Sequence, residues 1–279
     1  MNHKLETASV EEVDSKANQR PMTGNEAIAR GAWEAGVRVG AAYPGTPSTE
    51  IMENLALYPR EDLTAQWSTN EKVAFDVAIG ASFAGARALT SMKHVGLNVA
   101  SDALMSKTYI GVNAGLVFVV CDDPGIHSSQ NEQDSRFYSR LAMTPTLEPS
   151  DAQEALDFTK LAFDLSERFD SPIMVRGTTR LSHTRSVVNV NERIDVALKP
   201  FVENPQNNVM IPSNARANHP KLIKREEDFQ TFLNTSDLTR WEKGSDKVGV
   251  ITLSTAYTYV KEVLPEASVL KLGCSYPLP

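Results

Sequence analysis

Cysteine is nearly absent: Cys121 and Cys274 are the two in 279 residues. Two thiols cannot build a disulfide framework, a four-cysteine zinc site or a four-cysteine iron–sulfur cluster. No apolar run approaches the roughly 18 residues of a membrane-spanning helix, and the polar residues 1–20 lack the apolar stretch of a secretory signal. Basic residues are outnumbered, 28 against 35, for a net charge of −7, so no positive field draws a nucleic acid or an anionic membrane. Three common signatures are also missing: GxGxxG after a strand, GxxxxGK[ST] and GxSxG. What is present is ordinary. Apolar residues at 41% and charged residues at 23% suffice for a sizeable core in one large or two small domains. These features describe a cytoplasmic, soluble α/β protein.

Residues 1–20 lack apolar periodicity and are expected to form a disordered tail. Regular patterning starts at Thr23-Gly24-Asn25-Glu26, a capping box opening a helix that Gly36 ends. Short apolar runs at 37–43, 63–67, 86–92, 115–121 and 172–176 read as strands, and helices are expected at 70–85, 97–107 and 151–168. Thr46 and Pro47 read as N-cap and first residue of a further helix, and Ser150-x-x-Gln153 as the cap of the 151–168 helix. Apolar strands alternating with helices predict a doubly wound parallel sheet with helices on both faces over residues 21–190. Residues 191–246, with scattered Pro and Asn and a charged run at 221–228, read as an irregular arm or linker. A βαβ unit at 247–279 is too small to close its own core, and is expected to be the truncated start of a second domain.

Ligands of open parallel sheets bind outside the carboxyl ends of the strands. Four polar loops converge there: Tyr43–Glu50, Ser68–Glu71, Lys93–Asn98 and Asp122–Glu132. Each has a purely structural explanation. Thr46 serves as an N-cap; Glu71 closes a capping box with Ser68 and suits the positive end of a helix. His94 and His127 have no metal-ligand spacing, and Asp122-Asp123 before Pro124-Gly125 opens a turn. The residues alone yield a fold and a suspect edge, without a reaction.

Taken together, GNEAIARGAWEAGV, AAYPGTPSTEI, the stretch from WSTNEKVAF through SMKHVGLNVASDALM, and DDPGIHSSQNEQDSRFYSRLAMTPTLEPSDAQEA resemble the N-terminal part of the α subunits of indolepyruvate ferredoxin oxidoreductases. Those subunits belong to the thiamine-diphosphate-dependent 2-oxoacid:ferredoxin oxidoreductases. The resemblance is dense over residues 23–184. It implies a pyrimidine-binding domain whose glutamate, Glu71 here, holds N1′ of the aminopyrimidine and favours its imino tautomer. Gly45 and Thr46 of YPGTP fall beside the cofactor, with Thr46 near the substrate carboxylate. Related enzymes carry an arginine after the strand equivalent to GLVFVVC, where this chain has Cys121-Asp122-Asp123. Lys93, His94 and Asn98 are the expected replacements, and the departure fits a bulkier aryl pyruvate.

The resemblance also implies what should lie elsewhere. The GDG motif for diphosphate and Mg²⁺ is missing, as are the iron–sulfur cysteines, and VLKLGCSYPLP resembles the entry to a transketolase-C-terminal-like domain. The chain alone is therefore expected to be inactive. It should work with the remaining thiamine-binding and ferredoxin-like domains or subunits, as a dimer or hetero-oligomer. The implied reaction takes indolepyruvate and CoA to an acyl-CoA, with electrons passing to ferredoxin. Two other readings stand: an α subunit for 2-oxoglutarate or branched oxoacids, and a non-catalytic truncated interaction module.

Overall fold

Strands and helices alternate almost from the first described residue; the computed structural model describes residues 18–279. In chain order they are β1 (Gln19–Thr23), α1 (Gly24–Glu34), β2 (Val39–Ala42), α2 (Thr49–Leu55), β3 (Thr64–Trp67), α3 (Glu71–Phe83), β4 (Ala88–Lys93), α4 (His94–Ile110), β5 (Leu116–Asp122), α5 (Arg136–Ala142) and β6 (Thr146–Leu147). There follow α6 (Ala152–Phe169), β7 (Ile173–Thr178), α7 (Thr179–His183), β8 (Arg185–Asn189), α8 (Pro205–Asn208), α9 (Pro212–Leu233), β9 (Thr239–Glu242), β10 (Ser245–Leu253), α10 (Ala256–Val263), β11 (Ala267–Leu272) and β12 (Cys274–Tyr276).

The main sheet runs β12-β6-β7-β5-β4-β2-β3, parallel throughout except for β12 against β6. β5 is buried at all seven positions, because successive side chains feed opposite faces. Val117, Val119 and Cys121 enter a core with α1, α2, α6 and α9, whereas Leu116, Phe118 and Val120 enter one with α3 and α4. Helices thus cover both faces, the doubly wound arrangement expected. The Thr23–Glu26 capping box is formed in both directions.

Several local expectations are corrected. Of the expected tail, residues 1–17 lie outside the described residues, whereas Gln19 and Arg20 belong to β1, paired antiparallel with β8. The N-cap of α6 is Asp151, one residue beyond Ser150: its carboxylate accepts from Glu154 N–H, and Glu154 reaches back to Ser150. A carboxylate suits the helix's positive end better than a hydroxyl.

The expected irregular arm contains the 22-residue helix α9. Its buried residues Leu222, Phe229 and Leu233 recur at helical spacing, and the charged run that suggested a linker is its solvated face. The stretch from 191 to 204 is extended, bonded through Ile194 N to Glu34 O and through Lys199 N to Gly85 O.

β10, β11 and β9 form a small separate sheet. It is tied to the larger one by β12 and by Lys271, which is buried against Ser150, Glu154 and the Tyr257 ring. Among the described residues no helix is long and apolar enough to cross a membrane.

One buried charge has a measurable consequence. Lys107 of α4 is 1% exposed, its Nζ 3.7 Å from the centre of the Phe83 ring and without a hydrogen-bond partner among the described residues. Burial, opposed by Asp170 and aided by Arg225, pushes its pKa down to about 7. An unfolded lysine keeps its proton to about pH 10.4. Between these values the unfolded chain binds more protons, so stability should rise with pH from about 7 upward. Thermal unfolding at pH 7 and pH 9 checks this. The native chain should gain more in Tm over that interval than Lys107→Met, and equal pH responses would contradict it.

Candidate active site

The carboxyl ends of β2, β3 and β4 lie side by side, Ala42 pairing with Trp67 on one flank and with Ser91 on the other. The loop after β2 is a tight turn rather than a helix start. Thr49 Oγ1 accepts from Gly45 N–H at 2.9 Å, and Ser48 Oγ donates to Gly45 O at 2.8 Å. The Thr46–Pro47 peptide is cis. Helix α2 begins at Thr49 with Ser48 as N-cap, so Thr46 is not the N-cap expected of it and stands exposed. From α1, the buried Asn25 clamps this turn, donating to Pro47 O at 2.7 Å and to Glu50 Oε2 at 3.0 Å. The Lys93 stem lies along Gly45, where an added Cβ would come within 3.2 Å of its Cγ and Cδ.

Glu71 is the first residue of α3, but it closes no capping box with Ser68. Asn70 caps the helix, accepting from Val73 N–H at 2.9 Å, and the Ser68 hydroxyl is buried without a partner. Relieved of capping, the 9% exposed Glu71 side chain crosses to the first turn of α4. There it packs on Gly96 so closely that a Cβ at Gly96 would lie 2.6 Å from its Cγ and Oε1. No hydrogen bond from a described residue reaches its carboxyl.

The three expected replacements differ in their surroundings. His94, the first residue of α4, is 1% exposed; its Nε2 lies 3.1 Å from Asn131 O and its Nδ1 is buried without a partner. Asn98 is exposed and accepts from the Tyr138 hydroxyl of α5 at 2.7 Å. Lys93 is half-buried, and no acidic partner among the described residues pairs with it.

The end of β5 holds what the spacing of residues did not suggest. Asp122 and Asp123 are more than a turn opening, for both are fully buried. Asp122 accepts from Ser135 N–H and hydroxyl and pairs with Arg176 at 2.6 Å, and Arg176 pairs in turn with Glu148 at 2.6 Å. Burial disfavours charge on Arg176, but Glu148 and Asp122 outweigh it and hold the guanidinium firmly protonated. Burial likewise pushes the Asp123 carboxyl up, yet bonds from Ser128 N–H and the Thr179 and Ser129 hydroxyls hold it well below the usual range. A clue was available: an arginine in the apolar strand PIMVRGT requires a buried acid.

Over residues 30–238 the chain matches the family described as pyruvate flavodoxin/ferredoxin oxidoreductase, thiamine diphosphate-binding. It belongs to that family. It is 45% identical over 277 residues to the indolepyruvate oxidoreductase subunit IorA of Archaeoglobus fulgidus, covering 95% of this chain and 44% of that one. The corresponding subunit of Pyrococcus horikoshii is also 45% identical, over 92% of this chain and 42% of its own length. The 2-oxoglutarate synthase subunit KorA of Methanothermobacter thermautotrophicus is 34% identical over 63% of this chain and 48% of the relative. The chain thus spans less than half the length of these relatives. A solved 2-oxoglutarate:ferredoxin oxidoreductase from Magnetococcus marinus matches with a TM-score of 0.77, covering 94% of this chain and 55% of that one; at 18% identity this shows a shared fold.

The residues present fit a polar part of thiamine diphosphate, the group named in the family's description. The 9% exposed Glu71 side chain, unbonded to any described residue, sits on a glycine floor, and Asn25 Oδ1, Ser68 Oγ, Ser91 Oγ and His94 Nδ1, in the loops and element ends around it, are buried without a partner among the described residues. Buried polar atoms are rarely left unpaired. Among the described residues no three His, Cys, Asp or Glu side chains group to hold a metal.

The glycine floor is testable. Gly96→Ala meets the flexible end of Glu71 rather than backbone, so the fold should tolerate it and Tm should change little. Glu71 must then move by about an ångström, a displacement that can cost on the order of 10²-fold in rate. Turnover of the assembly containing this chain and Tm, measured together, decide it; unchanged turnover would show that Gly96 sets no geometry.

Proposed function

We propose that this chain supplies the pyrimidine-binding half of a thiamine diphosphate site in an oxidoreductase acting on indolepyruvate or related aryl 2-oxoacids. The complete reaction would release CO₂, form an acyl-CoA and pass electrons to ferredoxin. The observation that carries this reading is Glu71: buried, at a helix start capped by its neighbour, without a hydrogen bond from any described residue to its carboxyl, and pressed onto Gly96. An aryl substrate is favoured by 45% identity to the indolepyruvate subunits against 34% to a 2-oxoglutarate subunit.

Thiamine diphosphate, when bound, supplies the carbon nucleophile and electron sink that decarboxylation needs. Glu71 would hold a proton at N1′ of its pyrimidine, and the Gly45–Thr46 turn, fixed by Asn25, would border the ring. Diphosphate, Mg²⁺ and iron–sulfur clusters would be held by partner domains or subunits. Cys121 and Cys274 are unsuited to ligation: each is fully buried and its thiol is pushed up to about 12, whereas the thiolate is the metal ligand.

Glu71→Gln tests the reading. Asn70 keeps the cap, so Tm should stay within about a degree. Methyl viologen reduction with indolepyruvate and CoA by the assembled enzyme should fall by on the order of 10²–10⁴-fold, the usual worth of a positioned proton transfer. Near-native turnover would refute the assignment.

A further inference from the structure

Lys93 differs from the other cations around these loops. Lys72 pairs with Asp102, Arg136 with Asp134, and Arg176 with Asp122 and Glu148; beyond β7, Arg180 lies over the Tyr259 ring. Lys93 stands opposite Cys121 in the β4–β5 ladder, one residue from Asp122, yet it pairs with neither aspartate. Both are engaged elsewhere, Asp122 by Arg176 and Ser135, Asp123 by Ser128, Ser129 and Thr179. Its place is also fixed. Lys93 lies two residues past Ser91 as Pro44 lies two past Ala42, so the parallel register brings it beside the YPGTP turn, and its stem packs on Gly45. Thr46 is exposed in that turn, and Glu71 reaches Gly96 three residues along from Lys93.

Resting on the functional reading above, we propose that the Lys93 ammonium binds the carboxylate of the 2-oxoacid, with the Thr46 hydroxyl beside it. His94 and Asn98 do not share this role, since His94 is buried and bonds Asn131 O, and Asn98 is engaged by Tyr138. An ammonium is a compact point charge with rotatable donors, whereas a guanidinium fork imposes a plane on its carboxylate. A lysine anchor therefore fixes the position of the 2-oxoacid while leaving its orientation free to suit a wide side chain.

The test uses the assembled oxidoreductase containing this chain. Lys93→Gln should raise KM for indolepyruvate on the order of 10- to 100-fold, the worth of a hydrogen bond to a charged group, with kcat changed only a few-fold. Thiamine diphosphate affinity should be unchanged. Indolepyruvamide, whose neutral amide replaces the carboxylate, should inhibit the native enzyme and Lys93→Gln equally, and Lys93→Arg, which restores the charge but imposes a plane, should recover only part of the lost KM. An unchanged KM in Lys93→Gln, or a parallel weakening of indolepyruvamide, overturns the proposal while leaving the functional reading intact. A native enzyme that turns over no 2-oxoacid overturns that reading, and this proposal with it.

Discussion

The site depends on one buried guanidinium. Arg176 on β7 stands between Asp122 at the end of β5 and Glu148 just after β6, both carboxylates fully buried. Two acids without their cation in so dry a place would be untenable, and breaking such a pair costs about 3–5 kcal/mol. The consequence runs outward through hydrogen bonds. Fixed by Arg176, Asp122 holds Ser135 by its N–H and hydroxyl, which anchors the far end of the loop leading to α5. Asp123 pins the near end through Ser128 and Ser129. Between these anchors Asn131 O meets His94, and His94 begins the helix whose Gly96 supports Glu71. A charge cluster at the carboxyl ends of β5 and β7 thus bears, through His94 and Gly96, on the position of the Glu71 carboxyl.

A second constraint is a division of labour at helix starts. A residue that caps a helix has its side chain tied to the backbone two or three positions on. At α3 capping falls to Asn70, and at α2 the turn is tied through Ser48 and Thr49. Glu71, next to Asn70, and Thr46, two residues before Ser48, are left with side chains uncommitted to the backbone. Capping and ligand binding need not compete within one residue when adjacent residues can take them separately. This weakens the structural explanation of both residues, since neither performs the capping role that its spacing suggested.

The sheet was legible from sequence because the signal for buried parallel strands is local: continuous apolar runs such as GLVFVVC, spaced by helices. The Thr23–Glu26 box was legible for the same reason. The α3 cap was misplaced because Ser68 and Asn70 are both good N-caps two residues apart, and only tertiary packing selects between them. Helix α9 was hidden by composition. Its charged run and its prolines at 212 and 220 read as linker, while the burial of Leu222, Phe229 and Leu233 depends on partners such as Phe169, far back in the chain. The Asp122–Arg176 pair spans 54 residues, beyond any spacing rule. As for the site, residue types and their resemblance named six positions, but only the surroundings of each separate the packed His94 and engaged Asn98 from the unpaired Lys93.

Charge accounts for why that separation carries chemical meaning. A chain of net charge −7 repels anions at long range, so any anionic ligand must be met by local charge. The end of β5 could have spoiled any such field, since it presents two carboxylates in succession. Instead Asp122 is tied up by Arg176 and Ser135, and the negative charge of Asp123 is enclosed by hydroxyls and a backbone N–H, with no exposed surface. Both acids thereby serve the architecture of the loop while leaving the ammonium beside them unpaired among the described residues. In an open parallel sheet that ammonium sits where loops from adjacent strands converge, beside a turn clamped by Asn25 and a helix start clamped by Asn131. On the proposed reading, specificity for a carboxylate comes from withholding acids from one lysine rather than from adding cations.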